Sequence, residues 1–332
     1  MAVKAYLYDA DGHDRELPLD REMLDGLDER SLLWIDCDDR SDPDLPWVVE
    51  IVGSSVELFS RGDAHRPSLD NYGDHFHLRV CAAPQHHRPQ RDDDAGGLPD
   101  SVRTPTVDYL VTARVLVTVH DGPVACLSGF RNQDKAETMI GLLSPQALAA
   151  SLLDWHLGAY FDEVSRVEAS VDRLDERVLR ETSSRGLLGR MVAMRRRVSR
   201  LRSLLVAQRD VFYGLSRPDF ALITDSGAAP FYQSLSGRFE RALDEVERTR
   251  DLVTGSFELF TSRSSQQTND LVKILTFITA IIGFCAAVAG LLGMNFQLAI
   301  FETGFRGFLV VTGGLVLTAV LSMVYARRRS WI

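Results

Sequence analysis

Two stretches near the C-terminal end decide what this chain can fold into. From Ile274 to Leu292 no charged residue occurs, over about the length needed to cross a hydrocarbon core. Gly307 to Ala326 is a second such segment, rich in Val, Leu and Gly. One apolar run alone reads equally well as a buried core helix. Two of them, separated by a short loop, predict a transmembrane hairpin. Lys273 directly precedes the first segment and Arg327-Arg328-Arg329 directly follows the second. The positive-inside rule therefore puts both ends in the cytoplasm and the loop Phe296–Arg306 outside, with Arg306 a lone counter-signal. Tyr325 and Trp331 suit an interfacial aromatic belt. Met1–Tyr6 has no apolar run after a basic start, so no secretory leader is expected and the bulk of the chain is expected to stay cytoplasmic.

Upstream of the hairpin the periodicity is helical. Leu153, Leu157, Tyr160, Val164, Val167, Val171, Leu174 and Val178 recur at steps of three and four with charged residues between them, the pattern of an amphipathic helix with a coiled-coil-like seam. A second helix is predicted from Leu187 to about Leu215, and Arg217-Pro218 and Gly227–Pro230 mark a break. Neither Pro nor a Gly pair occurs between Phe231 and Leu292. One helix running through this whole stretch would be on the order of 90 Å long, and a helix of that length needs packing partners, which points to oligomerisation. The first part of the chain, to about Gly141, reads as a mixed α/β domain with strand-like runs at Leu32–Asp36, His75–Ala82, Thr106–Val111 and Val115–His120. Between them lies a Pro-, Asp- and Gly-rich loop, His86–Asp100.

The expected fold class is thus an α+β cytosolic domain followed by long stalk helices and two C-terminal transmembrane helices. The boundaries fall at 1–141 for the α/β domain, 142–270 for the stalk and 271–295 for the first membrane helix. The external loop takes 296–306, the second membrane helix 307–326 and a basic tail 327–332.

Several function classes are disfavoured. A formal charge of −9 over 332 residues is the wrong sign for a nucleic-acid binder. Cys37, Cys81, Cys126 and Cys285 are scattered without a C-x-x-C pair, which fits free thiols in a reducing compartment. His75-x-His77 places two rings on one face of a strand and His86-His87 follows, but no cysteine or carboxylate spacing completes a zinc site. No phosphate loop and no nucleophile motif is present, so the chain is not expected to be an enzyme, and transport through it would run on gradients. No covalently bound cofactor is expected.

The first membrane segment segregates its residues. Steps of three and four from Asn269 give Val272, Thr276, Thr279, Gly283, Ala286, Gly290 and Gly293, with Asn295 just beyond, while Ile274, Phe277, Ile281, Phe284 and Leu291 hold the other faces. Such a small, partly hydroxylated stripe has two readings: close packing of helices, or the lining of a conduit wide enough for a partly hydrated ion. No acid lies within either segment. Amide, hydroxyl and carbonyl oxygens suit passage of magnesium, which surrenders its water reluctantly.

These residues match a known family. Gly293-Met294-Asn295-Phe296, closing the first of two C-terminal membrane helices, resembles the signature of CorA magnesium transporters. Thr268–Thr276 looks like that family's entry to the pore helix, and Leu152-Leu153-Asp154 with Tyr160-Phe161-Asp162-Glu163 looks like the start of its first stalk helix. Trp34-Ile35-Asp36, Arg66-Pro67 and Tyr72-Gly73-Asp74-His75 extend the resemblance over essentially the whole chain. It implies a funnel-shaped homopentamer in the cell inner membrane, carrying magnesium, and cobalt or nickel, as substrate. Gly293, Met294 and Asn295 would form the selectivity filter, with Asn295 meeting the hydrated ion. Asn269, Val272 and Leu275 would form the narrow neck. The chain departs from the family in its outer loop, where Glu302 is the only acid. It departs mid-pore at Gly283 and Ala286, and at Tyr232–Ser236, which lacks the carboxylate of the family's magnesium-sensing contact. A ZntB-like zinc transporter, with proton coupling, and a membrane-anchored scaffold or sensor are the competing readings.

Overall fold

The computed structural model describes residues 3–9, 14–18, 27, 31–55, 57–60, 66–84, 105–133, 140–180, 186–217, 219–294 and 304–328. They fall into two compact units, one of Met1–Arg177 with Arg185–Ser256, the other of Val178–Ser184 with Phe257–Ile332. The predicted loop at 86–100 and Trp331 lie outside the described residues.

The first unit is built on a seven-stranded sheet of β1 (Val3–Asp9), β2 (Arg15–Leu17), β3 (Ser31–Cys37), β4 (Ser68–Asn71), β5 (His75–Cys81), β6 (Thr106–Thr112) and β7 (Val115–His120), in the order β2-β1-β3-β7-β6-β5-β4. Only the central β3–β7 pair is parallel. Both central strands are almost wholly apolar, as strands covered on both faces must be. Short helices α1 (Leu45–Ile51) and α2 (Glu57–Ser60) cover one face through Leu45, Val48, Val49, Leu58 and Phe59, against Leu33, Ile35, Leu110 and Val117.

The other face carries α3 (Ala125–Gln133), α4 (Pro145–Arg180), α5 (Leu187–Ala207), α6 (Arg209–Leu215), α7 (Ala221–Asp225) and the first part of α8 (Ala229–Leu292). Trp34, Phe76, Leu78, Tyr109 and Leu116 share one core with residues of these helices. Ser144 caps α4, its Oγ accepting the Ala147 N–H at 3.2 Å. Gly214 of α6 lies so close to β4 that a Cβ there would stand 2.5 Å from Leu69 Cδ2, so a larger residue would displace that leucine methyl.

Polar contacts fix α4 beside α8 in parallel register. The Tyr232 hydroxyl donates to the Gln146 carbonyl at 2.9 Å, and Arg238 pairs with Asp154 at 3.0 Å. Thr249 Oγ1 donates to Glu168 at 2.8 Å, and Ser256 donates to Asp175. Arg197 joins α5 to the buried Glu163 at 2.6 Å. The single helix predicted over 187–215 is in fact two, because α5 ends at Ala207 and α6 begins at Arg209. Gln208 breaks it, its side chain drawn wholly into the core.

In the second unit the remainder of α8 and α9 (Gly304–Arg328) are both long and apolar enough to cross a membrane. On α8 the half-covered residues are Ile274, Phe277, Ile281, Cys285, Val288 and Leu292; on α9 they are Gly307, Val311, Leu315, Ala319 and Ser322. Each set lies on one side of its helix, Ala326 is buried, and the rest of both surfaces is exposed and mostly apolar.

Candidate pore-lining face

The first half of α8 buries Tyr232, Leu235, Phe239, Ala242, Val246, Thr249, Val253 and Ser256, alternating steps of three and four that define a heptad seam. Carried forward at the same spacing, that seam meets Ile274, Phe277, Ile281 and Val288 of the half-covered residues, with Cys285 and Leu292 one position beyond it. At 100° per residue, Asn269, Val272, Thr276, Thr279, Gly283, Ala286, Gly290 and Gly293 lie about 180° from it. All eight are exposed. The stripe therefore lies within the broad surface that this chain's own helices leave uncovered, which also carries Ile278, Ile282 and Leu291. Leu275 is 65% exposed and flanks the stripe, about 60° off its centre.

The hydroxyls of the stripe are already committed as donors. Thr276 Oγ1 donates to the Val272 carbonyl at 2.8 Å and Thr279 Oγ1 to the Leu275 carbonyl at 2.7 Å. This back-bonding satisfies the proton within the helix and leaves oxygen lone pairs facing outward. A Cβ added at Gly283 or Gly290 would meet nothing within 4 Å, so these glycines leave open space. Gly293 is different: its N–H closes the last turn onto Ala289 O at 2.9 Å, and a Cβ would stand 3.3 Å from that oxygen. Met294, beyond the end of α8, is exposed. Asn295 and Glu302 lie outside the described residues.

The charges that immediately precede the apolar segment lie off this face. Asp270 and Lys273 pair with each other at 3.0 Å, both turned about 100° or more from the stripe, which leaves the neutral amide of Asn269 on it. The same heptad positions before Asn269, which the sequence reading overlooked, carry the exposed acids Asp244, Asp251 and Glu258 together with the exposed bases Arg241 and Arg248. Counting sevens back from Val272 and from Asn269 finds them.

Other candidate ligands do not converge. Among the described residues no group of three His, Cys, Asp or Glu side chains could hold a metal ion. His75 is taken by Asp74 at 2.7 Å and Ser54 at 3.3 Å, and His77 by Asp108 at 2.7 Å. Burial pushes the Cys37 and Cys81 thiols up to about 11 and Cys126 up to about 12, so these free cysteines stay protonated and inert. Cys285 is half-covered on α8, off the stripe.

The CorA-like Mg2+ transporter protein family profile matches residues 29–328. A cobalt/magnesium transport protein CorA of Methanocaldococcus jannaschii is 21% identical over 92% of this chain and 93% of its own length. Its namesake in Thermotoga maritima is 28% identical over 56% of this chain and 52% of its own. Among solved structures, the complete CorA magnesium transporter of M. jannaschii aligns over 100% of this chain and 99% of its own, with a TM-score of 0.72 at 19% identity. The full-length CmaX protein aligns over 99% and 97%, with a TM-score of 0.68 at 21% identity. These last two likenesses are of fold.

Proposed function

The chain belongs to the CorA-like Mg2+ transporter family, and from that premise we propose that it conducts hydrated divalent cations, magnesium foremost, across the cell inner membrane. It acts as a homopentamer whose first membrane helices ring one conduit. The observation that carries this reading is the uncovered stripe of α8, which turns away from the seam that its own chain packs.

In this arrangement Asn269, Val272 and Leu275 form the inner neck, Thr276 and Thr279 two hydroxyl rings, and Gly283, Ala286 and Gly290 a wide middle. Gly293, Met294 and Asn295 form the outer filter. A fully hydrated magnesium presents water hydrogens, and the outward lone pairs of Thr276 and Thr279 accept them without stripping the shell. The stripe offers no thiolate, imidazole or carboxylate, so it lacks the soft ligands that hold zinc. Both termini are cytoplasmic, and transport runs down the electrochemical gradient.

Ion flux into proteoliposomes tests this, with magnesium and zinc indicators, for wild type and Asn295→Ala. Magnesium entry that collapses in the variant is the expected result. Zinc entry that follows a proton gradient would replace this reading with the ZntB-like one, and no flux of either ion would leave a membrane-anchored scaffold.

A further inference from the structure

The sheet face beneath α2 carries a row of charge with no part in the conduit. Asp70 on β4, His77 and Arg79 on β5 and Asp108 on β6 are cross-strand neighbours on one face, and Arg40 reaches the same point from the turn after β3. Asp108 is fully buried, and it receives Arg79 Nε at 2.7 Å, His77 Nε2 at 2.7 Å and the Arg40 guanidinium. Together these donors outweigh the burial penalty and hold its carboxyl below the usual range. Arg40 also meets the exposed Asp121 at 3.3 Å.

His77 is only 2% exposed. With Asp108 ionised, the ring proton belongs on Nε2, which leaves Nδ1 as a bare lone pair. That nitrogen has no hydrogen-bond partner and faces Asp70 Oδ2 across 3.8 Å. A buried lone pair beside a carboxylate gains nothing as it stands. A proton on Nδ1 would turn the contact into a charge-assisted hydrogen bond, and Asp70, part-exposed on the edge strand, has room to close the gap. Charge count agrees. Arg40 and Arg79 face Asp70, Asp108 and Asp121, so one added proton makes the group neutral. His75 is held by Asp74 and Ser54, and Glu57 of α2 is exposed.

The group also holds α2. The Phe59 ring sits edge-on to His77 at 5.5 Å, and Arg79 Nη2 donates to the Leu58 carbonyl at 3.2 Å. We propose that His77 is a proton-operated latch: protonation at Nδ1 draws Asp70 inward and tightens β4 and α2 against the sheet. This gives the domain a response to acid that is separate from the ion path.

Hydrogen exchange on the full-length protein in detergent tests the latch, compared at about pH 7.5 and about pH 5.5, with rates corrected for intrinsic chemistry. Peptides spanning 57–71 should exchange about tenfold more slowly at the lower pH, the effect of one charge-assisted hydrogen bond on a local opening. Asp70→Asn changes only a part-exposed residue, so it should fold normally and lose the response, and His77→Gln should lose it too. A wild type without the response, or an Asp70→Asn protein that keeps it, overturns the latch.

Discussion

Gln208 has all four hydrogen-bonding positions of its buried amide in use. Its Oε1 accepts the Cys81 N–H at 3.1 Å and His156 Nε2 at 3.1 Å, and its Nε2 donates to Tyr160 Oη at 3.0 Å and Leu204 O at 2.8 Å. Tyr160 completes the circuit by donating to Cys81 O at 2.7 Å. Cys81 lies past the last β4–β5 pair, so two side chains take over backbone groups that the edge strand does not reach. Gln208→Leu removes the acceptor of the Cys81 N–H and the partners of His156 and Tyr160 from a buried circuit, and should cost about 1–3 kcal/mol in denaturant unfolding. His156 gives the same circuit a pH signature. Burial drives its pKa down to about 4, with only the Gln208 bond opposing. The folded ring stays neutral where the unfolded one, near 6.5, takes a proton. The unfolded chain then binds more protons, so stability falls as pH drops from about 6.5 towards about 4, by about 3 kcal/mol in all. Asp36 and Asp108 are held below the usual carboxylate range, so their contributions fade in the same direction at lower pH. A His156→Phe variant isolates the imidazole. Its thermal stability should depend less on pH than wild type across that window, and parallel curves would refute the assignment.

At the scale of elements, what the sequence made legible was what repeats. The strands β3 and β7 are mostly apolar runs, β5 and β6 alternate polar with apolar residues, all four are long enough to stand out, and the seams of α4 and α8 keep their spacing for many turns. β1, with Lys4 and Tyr6 interleaved, β2, with three residues, and β4, reading Ser68-Leu69-Asp70-Asn71, carry no such signal because they sit towards or at the sheet edges. The break between α5 and α6 has neither Gly nor Pro to announce it, since its cause is the tertiary circuit around Gln208. The stripe on α8 was visible from helical period alone. Which side of that helix its own chain leaves uncovered was not, since nothing in the period says which face α9 occupies. That distinction sets up a test. Thr279→Leu puts a bulky side chain where nothing of this chain packs, so magnesium flux should fall at least about tenfold while the assembly keeps its size on gel filtration. If the stripe were a packing face, the assembly itself would come apart.

For the molecule as a whole, the question is what drives the ion. No nucleotide motif appears along the chain, and no ionisable side chain lies on the stripe from Asn269 to Gly293, so that face offers no proton acceptor for coupling. Its charged neighbours, Asp270 and Lys273, satisfy each other on another side of the helix. For the proposed conduit the electrochemical gradient is the expected driving force. Moving one elementary charge through 100 mV is worth about 2.3 kcal/mol, so a divalent ion gains about 4.6 kcal/mol. Proteoliposomes clamped by a potassium diffusion potential, negative inside, should therefore take up magnesium far faster than unclamped ones. Reversing the potential should suppress entry, and a pH gradient imposed at fixed potential should change nothing. Uptake that ignored the potential but followed the pH gradient would mean a proton path outside the stripe, and the passive reading would fall with it.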